Sequence, residues 1–154
     1  MLITRARLLI ATLWVGSLWT IGYIAAPTLF ATLFDRVLAG TIAGSLFRAE
    51  AWLSVICGIL LLILQKIRGR HASPDNPEET RQEVRLIAAM LACTLIGYFC
   101  LQPFMAALRE AAGAAGVMAS DANLQFAILH GLSSGIYLIG SLVGVRLVLK
   151  IRTV

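Results

Sequence analysis

Six residues carry most of the chemistry this chain offers: Tyr23, Arg48, Glu50, Tyr98, Gln102 and His130, polar or ionisable side chains set in otherwise apolar stretches. An ionisable group at membrane depth costs about 2.5–3.5 kcal/mol at a helix centre on insertion scales, so it is expected to be paired, wetted or used. At about 1.5 Å per helical residue, Tyr23 and Tyr98 fall near one outer third of the membrane and Gln102 close to its surface. His130 comes roughly 10 Å down from the start of its helix, and Arg48 and Glu50 enter from the same side. The six are expected to line one outward-opening polar pocket, with Asp35, Arg36, Arg109, Glu110 and Asp121 at its rim. Such a pocket could bind or pass a small solute or ion. The structural alternative has Arg48 snorkelling to lipid phosphates and Glu50 pairing with Arg36 or Arg109. His130 would then bond to Tyr98, Gln102 or a backbone carbonyl.

His130 is the only histidine inside an apolar stretch, and a neutral imidazole can ligate a metal or relay protons. With no second membrane histidine, haem or copper binding would have to be assembled across a dimer. Cys93 and Cys100 fall on one α-helical stripe with Gly97 between them and Met105 nearby, a set of soft donors suited to Cu(I). Their spacing matches no ligand motif, so packing is the expected role, and no metal or cofactor is expected. The sequence has no Gly-rich phosphate loop, no HExxH and no G-x-S-x-G turn, and the chain is expected not to be an enzyme.

The elements that must position these residues follow from composition. Of 154 residues, 59% are hydrophobic and 14% charged, far from a soluble domain. The charges punctuate four apolar segments at about 8–31, 44–65, 85–107 and 123–146, with a polar loop at 66–84. This predicts an all-α polytopic membrane protein, a four-helix bundle forming a single domain over residues 1–154. The charge-free run from Ala51 to Leu64 is too short to span, so the second helix must start earlier and take Arg48 and Glu50 with it. Arg5 and Arg7 before an apolar run resemble a secretory signal, but the run is too long, and it is expected to be retained as a first span.

Orientation follows from the basic residues. Arg5, Arg7, Lys66, Arg68, Arg70, Arg81, Arg85, Arg146, Lys150 and Arg152 fall on one side of a four-span chain, and only Arg36, Arg48 and Arg109 on the other. The positive-inside rule then places both termini in the cytoplasm. The net charge of +5 therefore reports topology, and the partner it implies is the lipid bilayer, not nucleic acid.

Local signals refine the picture. Asn76, Pro77 and Glu79 predict an N-cap, a first helical position and a capping box for the third helix; Ser120 and Asp121 offer a cap for the fourth. Trp52 suits an interface belt, whereas Trp14 and Trp19 are expected to pack inside the bundle. Ile21-Gly22-Tyr23 before Pro27 and Ile96-Gly97-Tyr98 before Pro103 suggest a weak internal repeat. Small residues four apart, Ala39/Ala43, Gly40/Gly44, Gly131/Gly135 and Gly140/Gly144, predict close helix packing within the chain, in a homodimer or against another membrane protein.

The stretch Pro27-Thr28-Leu29-Phe30, Asp35-Arg36, Leu38-Ala39-Gly40, Gly44 and Leu46-Phe47, with Phe126, Leu129-His130 and Ser133, resembles the TMEM205-like family, known in bacteria as the DUF4149 domain. The resemblance implies a small four-helix protein of a bacterial inner membrane with no established activity. Pro27, Arg36, Gly40, Gly44 and His130 are the matching positions, and Asp35/Arg36 with Gly40/Gly44 are expected to shape the entry to the second helix. Arg48 stands where a proline is expected and Tyr137 where asparagine is frequent. The function expected is a solute or ion site, or else a non-catalytic accessory subunit packed against a partner.

Overall fold

A computed structural model describes residues 2–71 and 77–151, and its regular elements are all helical. Four stretches, Leu2–Thr32, Arg36–Gly69, Pro77–Ala115 and Asn123–Lys150, are long and apolar enough to cross a membrane. The first joins α1 (Leu2–Trp19), a π-helical segment (Thr20–Ala25) and α2 (Ala26–Thr32). The second is α3 (Arg36–His71). The third joins α4 (Pro77–Thr94), a second π-helical segment (Leu95–Leu101) and α5 (Gln102–Ala112), and the fourth is α6 (Asn123–Lys150). Neighbours pack in a ring, α1 on α3, α3 on α4, α4 on α6 and α6 on α1. Both ends of the described chain therefore lie at one end of the bundle, the terminal end. The α2–α3 and α5–α6 connections lie at the other, the mouth.

Asp35 sets the start of α3: its Oδ1 accepts the backbone N–H groups of Val37 at 2.8 Å and Leu38 at 3.0 Å, an N-cap on two otherwise orphaned donors. The helix then runs 36 residues, about 54 Å, and carries Arg48 and Glu50 inside it as the short charge-free run required. Pro77 opens α4 as expected; Asn76 lies outside the described residues. Most of the loop expected at 66–84 is helix instead, because its Glu, Arg and Gln residues are good helix formers and extend α3 and α4 at both margins. The cap expected from Ser120 and Asp121 does not form. Ser120 Oγ instead donates to the Val117 carbonyl at 2.8 Å and closes a short 3-10 turn, and Ala122 takes the N-cap position of α6.

The two halves of the suggested repeat share a backbone feature. Ile21-Gly22-Tyr23 lies in the first π-helical segment and Ile96-Gly97-Tyr98 in the second, each just ahead of its proline. Pro27 and Pro103 have no N–H to return to the carbonyls of Tyr23 and Phe99, and their rings crowd those carbonyls. The turns before them widen, as where the Ala26 N–H bonds back five residues to Ile21. The widening changes the register of the helix face. Cys93 turns inward against Gly140 while Cys100 is exposed, so the single stripe expected for the two thiols is not kept.

The tightly packed core occupies the terminal half. Ala11, Trp14, Leu61, Ile87, Met90 and Leu147 are its most deeply buried members. Gly144 permits this packing, since a Cβ there would stand 2.8 Å from Val15 Cγ2. Gly131 and Gly135 face open space, so that pair packs against none of the described residues. Trp19, expected inside, is 45% exposed, because the turn after it is where the first span begins its π-helical rotation.

Beyond this core lies a polar cluster. Arg7, 1% exposed, donates from Nη2 to Glu83 Oε2 at 2.6 Å; Gln65 Nε2 joins at 3.0 Å and Arg68 Nη2 at 3.4 Å. Arg7, one of the basic residues that set the orientation, is thus also a buried structural charge. It ties the first span to the second and third. Removing one member of a buried pair strands the other charge, a cost of about 3–5 kcal/mol. Arg7→Leu is expected to lower the melting midpoint in detergent sharply, and the double variant Arg7→Leu/Glu83→Leu to recover part of the loss; the midpoints of the three proteins check both statements.

Candidate functional site

Above the core the helices part around a cavity of about 1400 Å³, lined by residues of all four spans. Leu18, Glu50, Met90, Cys93 and Gly140 border its deep end, and Phe30, Arg36, Val37, Arg109 and Met118 its mouth. Five of the six expected residues line it: Tyr23, Glu50, Tyr98, Gln102 and His130. Pro27, Gly40 and Gly44 do so too, as do Arg36, Arg109 and Glu110 of the expected rim, whereas Asp35 and Asp121 stand outside.

Arg48 is the exception. Two residues from Glu50, it lies on another face of α3, is exposed, and borders a separate cleft of about 230 Å³ with Phe99, Gln102, Pro103 and Ala106. A helix turns about 100° per residue, so side chains two apart point in nearly opposite directions.

Glu50 lies deeper than expected. From Arg36 it is fourteen residues along α3, about 21 Å. It is 5% exposed and pairs with neither Arg36 nor Arg109. Instead Ser54, one turn on, donates from Oγ to Glu50 Oε1, and Ser54 in turn accepts the indole N–H of the fully buried Trp14 at 2.6 Å. The chain Trp14–Ser54–Glu50 forms the floor and anchors α1 to α3. The i, i+4 spacing of Glu50 and Ser54 was the sequence signal for it.

Tyr137, which the sequence marks only as a departure from the family pattern in or near the pocket and not as one of the six candidates, is central to the site. Its hydroxyl donates to the Leu18 carbonyl, and its ring occupies the space a side chain on Gly22 would need. Phe47 meets that ring edge-on, centroids 5.5 Å apart, and Tyr23 at 6.2 Å. Tyr23 Oη then donates to Ser141 Oγ at 2.9 Å, which donates to the Tyr137 carbonyl at 3.0 Å. Three rings thus stand in a connected wall about one turn above Glu50, held by hydrogen bonds to α1 and α6. Gly22 opposite an aromatic on the fourth span was the available clue, but which aromatic it faced depended on helix register.

Nearer the mouth, His130 stacks on Phe126, rings 5.9 Å apart and within 6° of parallel, and the Arg109 guanidinium lies 5.4 Å from the centre of the same ring. His130 makes none of the hydrogen bonds considered for it; its ring is held by stacking. Among the described residues no three His, Cys, Asp or Glu side chains gather as a metal set. Cys93 lines the cavity while Cys100 points elsewhere, so the two thiols and His130 do not converge.

A family model described as a domain of unknown function (DUF4149) matches residues 9–114, the first three spans with Tyr23, Glu50, Tyr98 and Gln102. No curated protein and no solved structure matches the chain.

Ser54→Ala removes the acceptor of the buried Trp14 indole and the donor to Glu50. An unsatisfied buried polar group costs about 1–3 kcal/mol. The expected outcome is a lower melting midpoint together with a changed Trp14 emission in a Trp19→Phe/Trp52→Phe background; unaltered emission would mean that the floor chain does not exist.

Proposed function

The chain belongs to the DUF4149 family, and from that premise we propose that it is a bacterial inner-membrane protein that binds an amphipathic organic molecule in the cavity between its four spans. The observation that carries this reading is the cavity itself: about 1400 Å³, walled by every span, mostly apolar, with a few polar groups at its floor and mouth. Ligand pockets run to about 300–1,000 Å³, so the space suits a drug- or lipid-sized molecule better than a bare ion. Below it the fully buried Trp14, Leu61, Ile87 and Leu147 close the bundle, which favours a chamber with one mouth over a continuous pore. The charge asymmetry supports termini in the cytoplasm and hence a mouth facing outward. Binding, with no chemistry performed, is the role proposed.

A second reading keeps one observation of its own. Gly131 and Gly135 on α6 look onto open space, beside the exposed Ile128 and Leu132, a surface of the kind that packs against another transmembrane helix. A stoichiometric membrane partner retained in mild detergent and lost in Gly131→Leu/Gly135→Leu would favour an accessory subunit.

The chamber is tested with the neutral fluorophore N-phenyl-1-naphthylamine on protein in phosphatidylcholine nanodiscs. Saturable binding beyond that of empty nanodiscs is expected, weakened at least tenfold in Gly40→Trp, where a Cβ meets nothing closer than Phe30 Cζ at 4.0 Å and the indole fills the cavity. Signal no different from empty nanodiscs overturns the reading.

A further inference from the structure

We propose that the deep end of this cavity is a site for an organic cation, with Glu50 as its counter-charge and Phe47, Tyr137 and Tyr23 as the rings beside it. This deepens the chamber reading and rests on it. Glu50 is buried far along α3, yet none of the ion pairs among the described residues includes it; those pairs involve Arg7 and Arg68 with Glu83, and Arg81 with Glu78, all toward the terminal end. Among the described residues its one hydrogen-bond partner is Ser54, whose hydroxyl is already committed to both Glu50 and Trp14. The carboxyl group is therefore held from the floor side and borders the cavity on the other. When ionised, a carboxyl group in such a place needs a counter-charge, and the described residues supply none.

The rings add a second, independent recognition element. Tyr137 is met nearly perpendicularly by Phe47 at 87° and by Tyr23 at 71°, and all three line the same cavity as Glu50. Ring faces and edges set at right angles around an acidic group form the surroundings in which organic ammonium and phosphonium ions are held by cation–π attraction.

The two arginines at the mouth do not cancel this. Arg109 reaches α3 at Gly44, its Nη1 3.5 Å from where a Cβ would stand, and Gly44 is six residues from Glu50, about 9 Å. Even a cation lying between the two, about 4 Å from Glu50, stays about 5 Å from Arg109, and Arg36 is fourteen residues, about 21 Å, along α3 from Glu50, so the carboxylate is the nearest charge and its attraction prevails. Arg109 is also spread over the Phe126 ring.

The test uses two probes of nearly the same size and shape but opposite charge, tetraphenylphosphonium and tetraphenylborate, each displacing N-phenyl-1-naphthylamine from protein in phosphatidylcholine nanodiscs, corrected for partition into empty ones. The expected result is that the phosphonium displaces the dye at a concentration at least tenfold lower than the borate, and that Glu50→Gln brings the ratio close to one. Equal or better displacement by the borate from the unaltered protein overturns the assignment and needs no variant to be interpreted. A Glu50→Gln protein that keeps the full preference overturns it as well. Saturable dye binding with no preference for sign defeats the cation site alone, whereas an absence of saturable dye binding defeats the chamber on which it rests.

Discussion

The hydrogen-bonded chain from the Trp14 indole through Ser54 to Glu50 is the constraint around which the molecule is arranged. It lies where the bundle changes character, packed toward the terminal end and hollow toward the mouth. Each link needs the others: the indole N–H would be a buried donor without Ser54, and Ser54 could not orient both ways without a carboxyl one turn earlier on the same helix. Because Trp14 is on the first span and Ser54 and Glu50 on the second, the chain also fixes the depth at which those spans meet. Within apolar surroundings such bonds cannot be exchanged for water, which makes them strong determinants of register.

From that level upward, two prolines decide the shape. Pro27 and Pro103 each disrupt the helical ladder one turn behind them, and the wider turns that result carry Tyr23 and Tyr98 to the cavity. The same device on the first and third spans gives the suggested repeat a physical meaning: what the halves share is a site of backbone widening. Gly22 within the first of these turns gives the Tyr137 ring its place, and the ring in turn reaches the Leu18 carbonyl. Hollow and aromatic wall thus arise from the same local irregularities.

The opposite end solves a different problem. There Arg7, Arg68, Gln65 and Glu83 gather residues from three spans into one polar cluster on the far side of the packed core from the cavity. Glu83 accepts from all three donors on a single oxygen, so α4 is tied to both α1 and α3. Lys150 on α6 reaches Gln82 at 2.6 Å and brings the fourth span to the same place. One end is closed by charge and the other left open by proline.

How much of this the sequence determined by itself follows from the range of the interactions involved. Four helices long and apolar enough to cross a membrane, the extension of the second to include Arg48 and Glu50, the Asp35 entry to α3 and Pro77 at the start of α4 were legible, because hydropathy, span length and capping are properties of short segments. Five of the six candidate residues also line one cavity, since depth along a helix is simple arithmetic. What needed the tertiary structure was the direction each side chain takes about its helix axis. Depth groups Arg48 with Glu50 although their faces diverge; spacing puts Cys93 and Cys100 on one stripe that a π-helical turn unwinds; and the structural alternative that pairs Glu50 with Arg36 or Arg109 gives way to a bond from Ser54. Arg7 enters the sequence only as one of the charges that set orientation, and its partner Glu83 stands 76 residues away. Azimuth and long-range pairing depend on how four helices rotate against one another, and in a chain whose helices are apolar on nearly every face, no hydrophobic stripe records that rotation in the sequence.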